Sequence, residues 1–248
     1  MAKPKTKPRA DRTALIYRAL RHAIIEQALA PGAKLPEDTI GERFGASRTI
    51  VRNALGQLAA EGLVQLRRNR GAAVATPAWE EARDTFDVRI GLERLVMARL
   101  AGRLSPEEIE RLQEHVDREE RARGNDEPLS IRLATEFHIL LADMTGSPVL
   151  ARYIGEVSSR CGLILALYSR PHSAECAVNE HRAVIAALAA GDAARASALM
   201  EEHIEAVASR ALIVARPSKN RELKDVLAVY GEEPKPVARK NGSRRVKH

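Results

Sequence analysis

Aromatic residues and cysteines are scarce in this chain of 248 residues. Phe, Trp and Tyr together make up 3% of the sequence, and the two cysteines are Cys161 and Cys176. Strands draw on aromatic and β-branched residues, so a chain poor in aromatics and rich in Ala, Leu, Arg and Glu favours helices. Two cysteines cannot form the disulfide framework on which small secreted domains depend. The composition predicts a mainly α-helical protein.

Long apolar runs are also absent. No stretch approaches the ~18–20 apolar residues that cross a bilayer, and no apolar segment follows the basic first ten residues as a secretory signal requires. We therefore expect a cytoplasmic protein without a membrane partner. Hydrophobic residues make up 45% of the chain and charged residues 29%, which suffices for a packed core.

Charge is distributed unevenly along the chain. The first 77 residues carry 14 basic and six acidic residues, whereas residues 78–215 carry 16 basic and 23 acidic residues. A basic front joined to an acidic body suggests that the front binds a polyanion. We expect four regions: a basic flexible tail over 1–11, a first domain over 12–77, a second domain over 78–215, and a basic, mobile tail over 216–248.

The first domain has the pattern of three helices followed by a β-hairpin. Apolar periodicity predicts helices over 11–29, 37–44 and 48–61, and two short strand-like runs over 63–66 and 72–75. Gly45 is suited to the tight turn between the second and third helices, and Ser47 is suited to the N-cap of the third. This order of elements is that of a winged helix-turn-helix, whose third helix enters the major groove of DNA.

The third helix carries the candidate DNA-reading side chains. Arg48 and Arg52 are four residues apart and share its outer face with Thr49. A guanidinium group is planar and can bind guanine or phosphate through two hydrogen bonds. Arg70 and Gly71 lie at the hairpin tip, where a cation and close backbone approach suit the minor groove or phosphate. The alternative is a solvated helix face and an arginine-rich turn. The candidate DNA-binding residues are Ser47, Arg48, Thr49, Arg52, Arg70 and Gly71.

These residues lie in a segment that resembles the DNA-binding domain of the GntR family of bacterial transcription regulators. The family pattern Ser-Arg-x-x-Val-Arg-x-Ala-Leu is intact at Ser47–Leu55. The resemblance covers about residues 12–77 and implies DNA contact by Arg48, Thr49, Arg52 and Gly71. Some relatives carry a further DNA-reading arginine in the second helix. The nearest positions in this chain are Asp38 and Thr39.

From residue 79 onward, every segment predicts a helix. We expect helices over 79–101, 105–123, 128–143, 148–169, 174–190 and 193–213. The second of these opens with a capping box at Ser105–Glu108 and ends at Gly124. The second domain is therefore predicted to be an all-α antiparallel helical bundle.

Three histidines occupy the apolar faces of three different helices of this bundle. His138, His181 and His203 each recur with apolar residues at helical spacing, so all three should point into the interior. Converging neutral imidazoles suit a divalent metal ion of the zinc or nickel type. Three protein ligands leave positions open for water or a small molecule. The alternative is that each is an ordinary core histidine with a hydrogen-bond partner.

Residues 80–213 resemble the FCD ligand-binding domain of the FadR subfamily. The similarity is carried by four short segments: Val88–Glu93, Glu136–His138, Glu180–Leu188 and Met200–Ile204. The resemblance implies a metal ion held by His138, His181 and His203, with a small carboxylate effector recognised beside it.

This chain departs from the subfamily at one ligand. Many relatives have an Asp one turn before the first histidine, where this chain has Ala134. Cys176 and Glu180 lie near His181 in sequence and are candidate additional donors. Arg89 is the candidate partner of the effector carboxylate; alternatively it pairs with Glu93, four residues away.

We therefore predict a homodimeric transcription regulator. Its first domain binds a double-stranded DNA operator, and its second domain dimerises and binds the effector. Two-fold dimers match palindromic sites, since one recognition helix covers only a few base pairs. No catalytic motif stands out, so we do not expect an enzyme. Two alternatives remain: a metal-dependent helical enzyme with a DNA-targeting module, and an architectural DNA binder that senses nothing.

Overall fold

The computed structural model describes residues 9–68, 70–168, 175–211 and 222–230. Within these ranges the chain forms ten helices and a two-stranded antiparallel sheet. The elements are α1 Arg9–Ile25, α2 Glu37–Phe44, α3 Arg48–Ala60, β1 Val64–Arg67, β2 Gly71–Val74, α4 Trp79–Leu100, α5 Pro106–Ala122, α6 Glu127–Met144, α7 Pro148–Tyr168, α8 Glu175–Ala189, α9 Ala193–Ala211 and α10 Leu223–Tyr230.

Helices α1–α3 and the hairpin form the winged domain. Its core is built from the apolar faces of the three helices, and Leu20, Ile40 and Leu58 are fully buried. The hairpin runs in register from Val64 opposite Val74 to Arg67 opposite Gly71. The prediction of a winged helix-turn-helix is therefore confirmed.

Two local predictions in the winged domain differ from the structure. The first helix ends at Ile25 rather than near residue 29, because Gln27 adopts a positive φ of 57° and turns the chain. Gly45 takes the predicted left-handed conformation, with a φ of 58°. Ser47 lies at the N-cap of α3, but its side chain makes no capping hydrogen bond to the described residues of that helix.

Helices α4–α9 form the predicted helical bundle. Helix α4 packs against α7 and α9, and α5 packs against α6 and α8. The capping box that opens α5 is present, with Ser105 Oγ accepting from the backbone N–H of Glu108 and the Glu108 side chain accepting from that of Ser105. Within the described ranges, no helix has the length and apolar character needed to cross a membrane.

Helix α10 lies in the segment that the sequence predicted to be a mobile tail. Val226 and Leu227 are buried in the core of the winged domain, where α10 packs on α1 and α2. Arg43 of α2 donates hydrogen bonds to the carbonyl oxygens of Leu227 and Ala228. The basic composition of residues 216–248 obscured this short apolar helix. The other residues predicted to form tails, 1–8, 216–221 and 231–248, lie outside the described residues.

Polar contacts join α1 of the winged domain to the bundle. Arg21 donates to Ser159 Oγ of α7 at 2.6 Å, and Arg132 of α6 lies 3.2 Å from Glu26. Arg132 Nη1 also lies 3.5 Å from His22 Nδ1. Burial, together with the positive charge of Arg132, lowers the pKa of His22 to about 4, so the ring is neutral and can accept that hydrogen bond. Helix α6 is thus in direct contact with the winged domain.

The docking of α10 leads to a stability prediction. Leu227→Ala should lower the free energy of unfolding by about 2 kcal/mol, the lower end of the range for buried leucines, because α10 can detach as a unit. Urea titration of the full chain measures this. Val229→Ala on the same helix is the matched control, since Val229 is 75% exposed. Equal stabilities of the two variants would contradict the docking.

Candidate functional sites: a buried histidine cluster and an exposed helix face

The structure brings together the three histidines that the sequence singled out. His138 on α6, His181 on α8 and His203 on α9 are all buried, and their candidate ligand atoms lie within 4.8 Å of one another. The distances between ring centroids are 5.4 Å, 5.3 Å and 4.8 Å. Phe137 stacks on the ring of His181 at 4.0 Å between centroids. We call these three histidines the histidine cluster.

Each histidine of the cluster has a carboxylate at its Nδ1 atom. Glu93 Oε1 lies 2.8 Å from Nδ1 of His138, Glu119 Oε2 lies 2.9 Å from Nδ1 of His181, and Glu180 Oε2 lies 2.6 Å from Nδ1 of His203. A carboxylate at Nδ1 favours a proton there and leaves the lone pair on Nε2. Among the described residues, Nε2 of His181 is buried without a hydrogen-bond partner. A hydrogen bond from Nδ1 to a carboxylate is common in metal-binding histidines, and His181 and His203 have one.

Burial sets the protonation of the cluster. It lowers the pKa of His181 to about 3 and that of His203 to about 4, and it holds the pKa of His138 well below its ordinary value. The positive charge of Arg89 contributes in all three cases. The rings are therefore neutral near pH 7, which is the form that ligates a metal ion. Since the imidazoles are neutral, the contacts of His181 with Glu119 and of His203 with Glu180 are hydrogen bonds rather than ion pairs. Glu93 Oε1 lies close to Nδ1 of His138, but neither atom has a hydrogen-bond partner among the described residues.

Arg89 lies beside the cluster and is almost fully buried. Its Nε lies 3.5 Å from Oε1 of Glu93, so the alternative predicted for Arg89, pairing with Glu93, is present in the structure. Arg89 Nε and both carboxylate oxygens of Glu93 have no hydrogen-bond partner among the described residues. Burial raises the pKa of Glu93 to about 7 despite the opposing effect of Arg89. The guanidinium therefore retains hydrogen-bonding capacity for a further acceptor, and contact with an effector stays a prediction.

The sequence did not identify the carboxylates Glu93 and Glu119 as partners of the cluster. Glu119 occupies a buried position of α5 in register with Leu112 and Val116. Burial raises its pKa to about 7. An acidic residue within an apolar stripe was the signal that could have found it.

The remaining candidates near the cluster have different outcomes. Ala134 offers no ligand atom at the position where many FCD relatives have an Asp. Glu180 contacts His203 rather than His181, its neighbour in sequence. The side chain of Cys176 lies outside the described residues.

The six candidate DNA-binding residues are all exposed: Ser47, Arg48, Thr49, Arg52, Arg70 and Gly71. On α3, Ile50 and Val51 are buried, which turns Arg48 and Arg52 outward. At the tip of the hairpin, Gly71 has a φ of 76°, a left-handed conformation that favours glycine. Their exposure fits contact with DNA, which stays a prediction for each residue.

Both exposed arginines of α3 contact acids on α2. Arg48 donates from Nε to Oδ1 of Asp38 at 2.8 Å and from Nη2 to Oδ2 at 3.1 Å. Arg52 donates from Nε to both carboxylate oxygens of Glu37, at 2.8 Å and 2.9 Å. The sequence predicts neither contact; Asp38 is one of the two positions nearest to the further DNA-reading arginine that some relatives carry.

Comparison with known proteins finds two family matches that together span most of the chain. Residues 12–74 match "Bacterial regulatory proteins, gntR family", and residues 84–206 match the "FCD domain".

Individual relatives are more distant. The "Uncharacterized HTH-type transcriptional regulator YdhC" of Bacillus subtilis is 26% identical over 68% of this chain and 76% of its own length. The "HTH-type transcriptional repressor RspR" of Escherichia coli is 25% identical over 77% of this chain and 85% of its own length. The solved structure of "E. coli McbR/YncC" aligns with a TM-score of 0.71 at 24% identity, covering 79% of this chain and 94% of that one, and supports the fold alone.

Proposed function

Because this chain belongs to the GntR family of bacterial transcription regulators, with a winged domain followed by an FCD domain, we propose that a small carboxylate bound beside a metal ion controls its affinity for an operator. The observation that carries the proposal is the buried histidine cluster next to Arg89. The matched curated relatives are named regulators or repressors. The chain is therefore a transcription regulator, and neither the enzyme nor the non-sensing architectural protein is favoured.

We propose that α3 binds the major groove of the operator. Arg48 and Arg52 are exposed on its outer face and have the fork geometry that suits guanine. Ser47 and Thr49 lie at the start of α3, where hydroxyl groups commonly contact phosphates. Arg70 and Gly71 at the tip of the hairpin are placed for the minor groove or the backbone.

The histidine cluster is the proposed site of a divalent metal ion of the zinc or nickel type. His138, His181 and His203 would hold the ion, and Glu93, Glu119 and Glu180 would fix the orientation of the three rings through Nδ1. The unpartnered Nε2 of His181 supports this assignment, because a buried ring nitrogen without a partner is costly. Ala134 leaves one more coordination position open than an Asp would. A bound ion would supply a positive centre for an anionic ligand.

Arg89 is the proposed anchor of the effector carboxylate. It is a buried cation on α4 with an Nε that lacks a hydrogen-bond partner among the described residues. Arginine binds carboxylates through two parallel hydrogen bonds, which specifies the geometry as well as the charge. A metal ion and Arg89 together favour a small organic acid over a neutral ligand.

Helix α6 is the proposed connection between effector and operator. It carries His138 and, six residues earlier, Arg132, which contacts Glu26 and His22 of α1. A ligand that binds one orientation of α6 better than another shifts the equilibrium between the two orientations. Because α6 contacts α1, that shift also changes the position of the winged domain, and the coupling free energy equals the difference in ligand affinity between the two states.

We further propose that the protein is a homodimer that acts in the cytoplasm, where operators are accessible. Val88 and Leu95 of α4 are 57% and 43% exposed, with Gly91 between them on the same face. An exposed apolar strip of this kind fits a second copy of the chain.

The dimer proposal predicts the mass of the protein in solution. Analytical ultracentrifugation should give twice the chain mass of 27.2 kDa, and a species of single-chain mass would contradict the dimer.

The DNA proposal predicts the effect of two substitutions. Arg48→Ala and Arg52→Ala should each weaken binding to a duplex selected by the parent protein from a random library by about 10- to 100-fold, or 1–3 kcal/mol. Fluorescence anisotropy at fixed salt measures both dissociation constants. Arg103→Ala, an exposed arginine of the bundle, is the control. If both α3 variants bind like the parent, α3 does not contact the bases.

The metal proposal predicts the metal content of purified protein. The parent should retain about one divalent ion per chain, and the triple variant His138→Ala/His181→Ala/His203→Ala should retain none. Glu119→Gln should keep the stoichiometry but weaken the affinity about 10- to 100-fold, because it removes the orienting carboxylate of His181. Its neighbour Glu120, which is exposed and contacts Arg182, provides the control Glu120→Gln. Unchanged metal content in the triple variant would contradict the site.

The effector proposal predicts a thermal shift. A panel of small carboxylic acids should contain at least one that raises the Tm of the zinc-loaded protein, because a ligand that binds only the folded state stabilises it. Arg89→Lys keeps the charge but loses the planar fork, so it should abolish the shift. A panel without any shift would argue against a carboxylate effector, and an undiminished shift in Arg89→Lys would argue against Arg89 as its anchor.

A further inference from the structure

Two acidic residues hold the DNA-facing arginines of α3 in defined orientations. Asp38 contacts Arg48 through two parallel hydrogen bonds, and Glu37 contacts Nε of Arg52. The side chains of Arg48 and Arg52 nevertheless remain 69% and 68% exposed. Exposed ion pairs add little to stability. The main effect of these contacts is therefore to orient the two guanidinium groups.

The contact with Asp38 uses one edge of the Arg48 guanidinium and leaves the other available. Nε and one N–H of Nη2 point at the carboxylate, so the two N–H groups of Nη1 and the second N–H of Nη2 remain for another acceptor. That remaining edge presents two parallel donors. Guanine offers two matching acceptors, O6 and N7, in the major groove. An arginine already held by Asp38 can bind a guanine without giving up its present contact.

The same carboxylate makes Arg48 a poor ligand for phosphate. Asp38 is 66% exposed beside Arg48, and the hydrogen bond from Arg48 lowers its pKa, so it carries a negative charge near pH 7. A negative charge beside the guanidinium repels the DNA backbone. It does not oppose the neutral edge of a base. The pair therefore favours base contact over sequence-independent binding.

We propose that Asp38 is a positioning residue for operator recognition, which orients Arg48 toward a guanine and reduces its binding to phosphates. This inference rests on the proposed contact between α3 and DNA. Glu37 acts on Arg52 in the same way, although its contact through Nε alone leaves the Arg52 guanidinium less constrained than that of Arg48.

The test compares base discrimination with overall affinity. A duplex is selected from a random library with the parent protein, and each guanine in it is then replaced. The guanine whose replacement matters to the parent but not to Arg48→Ala is the one read by Arg48. Dissociation constants for the selected duplex, the duplex lacking that guanine and a scrambled duplex are measured at one salt concentration.

Asp38→Asn should reduce discrimination at that guanine about tenfold or more and should tighten binding to the scrambled duplex. The control Glu42→Gln removes the same charge from an exposed position of α2 and should leave discrimination unchanged. If Asp38→Asn binds all duplexes more tightly with discrimination intact, Asp38 only masks charge and the inference is wrong. It is also wrong if Arg48→Ala weakens all duplexes equally, since Arg48 then contacts phosphate. If Arg48→Ala binds like the parent, the proposed α3 contact itself fails.

Discussion

Three imidazoles, three carboxyl groups and one guanidinium lie close together in the helical bundle. The helices that carry them must pack so that these polar groups offset one another's burial. Burying an ionised group is costly unless it is paired and hydrogen-bonded. The structure reduces that cost in three ways: the histidines are neutral, each has a glutamate oxygen within 2.9 Å of Nδ1, and burial raises the pKa of Glu93 and of Glu119 to about 7. Nε2 of His181 and Nε of Arg89 remain without hydrogen-bond partners among the described residues, so these two atoms can bind a ligand.

The same helices that carry these groups also contact the winged domain. Helix α6 places His138 in the cluster and Arg132 against α1, while α7 accepts a hydrogen bond from Arg21. Helix α10, from the far end of the chain, packs on α1 and α2 and is held by Arg43. Helix α2 carries the acids that contact the arginines of α3, and it packs on α1, which contacts the bundle. The contacts of α6 with α1 thus connect the histidine cluster to the proposed operator-binding surface.

Much of this architecture follows from local sequence signals. Apolar periodicity predicted the bounds of α2 through α9 closely. In amphipathic helices, the capping residues in the local sequence mark the first and last turns. The same periodicity placed His138, His181 and His203 in the interior. The predicted family and the class of transcription regulator are confirmed by the two family matches.

What the sequence did not predict depends on contacts between distant segments. The apolar stripe of α5 marks Glu119 as a buried acid, but nothing local identifies His181, 62 positions away, as its partner. An isolated helix as short as α10 is marginally stable in water, and α10 packs its apolar side on the winged domain. The basic composition of the surrounding segment does not indicate that packing. The role proposed for Asp38 depends on its contact with Arg48, which lies ten residues away on another helix. Each of these is a pairing between elements, which periodicity within one element cannot show.

The central claim is that the histidine cluster controls a DNA surface in the other domain. It is tested most directly by the operator dissociation constant of protein stripped of metal with a chelator, compared with the same protein reloaded with zinc. The account predicts a change of about fivefold or more, the usual size of coupling between distant sites, and no change in a variant that lacks all three imidazoles. Identical operator affinity before and after reloading would contradict it.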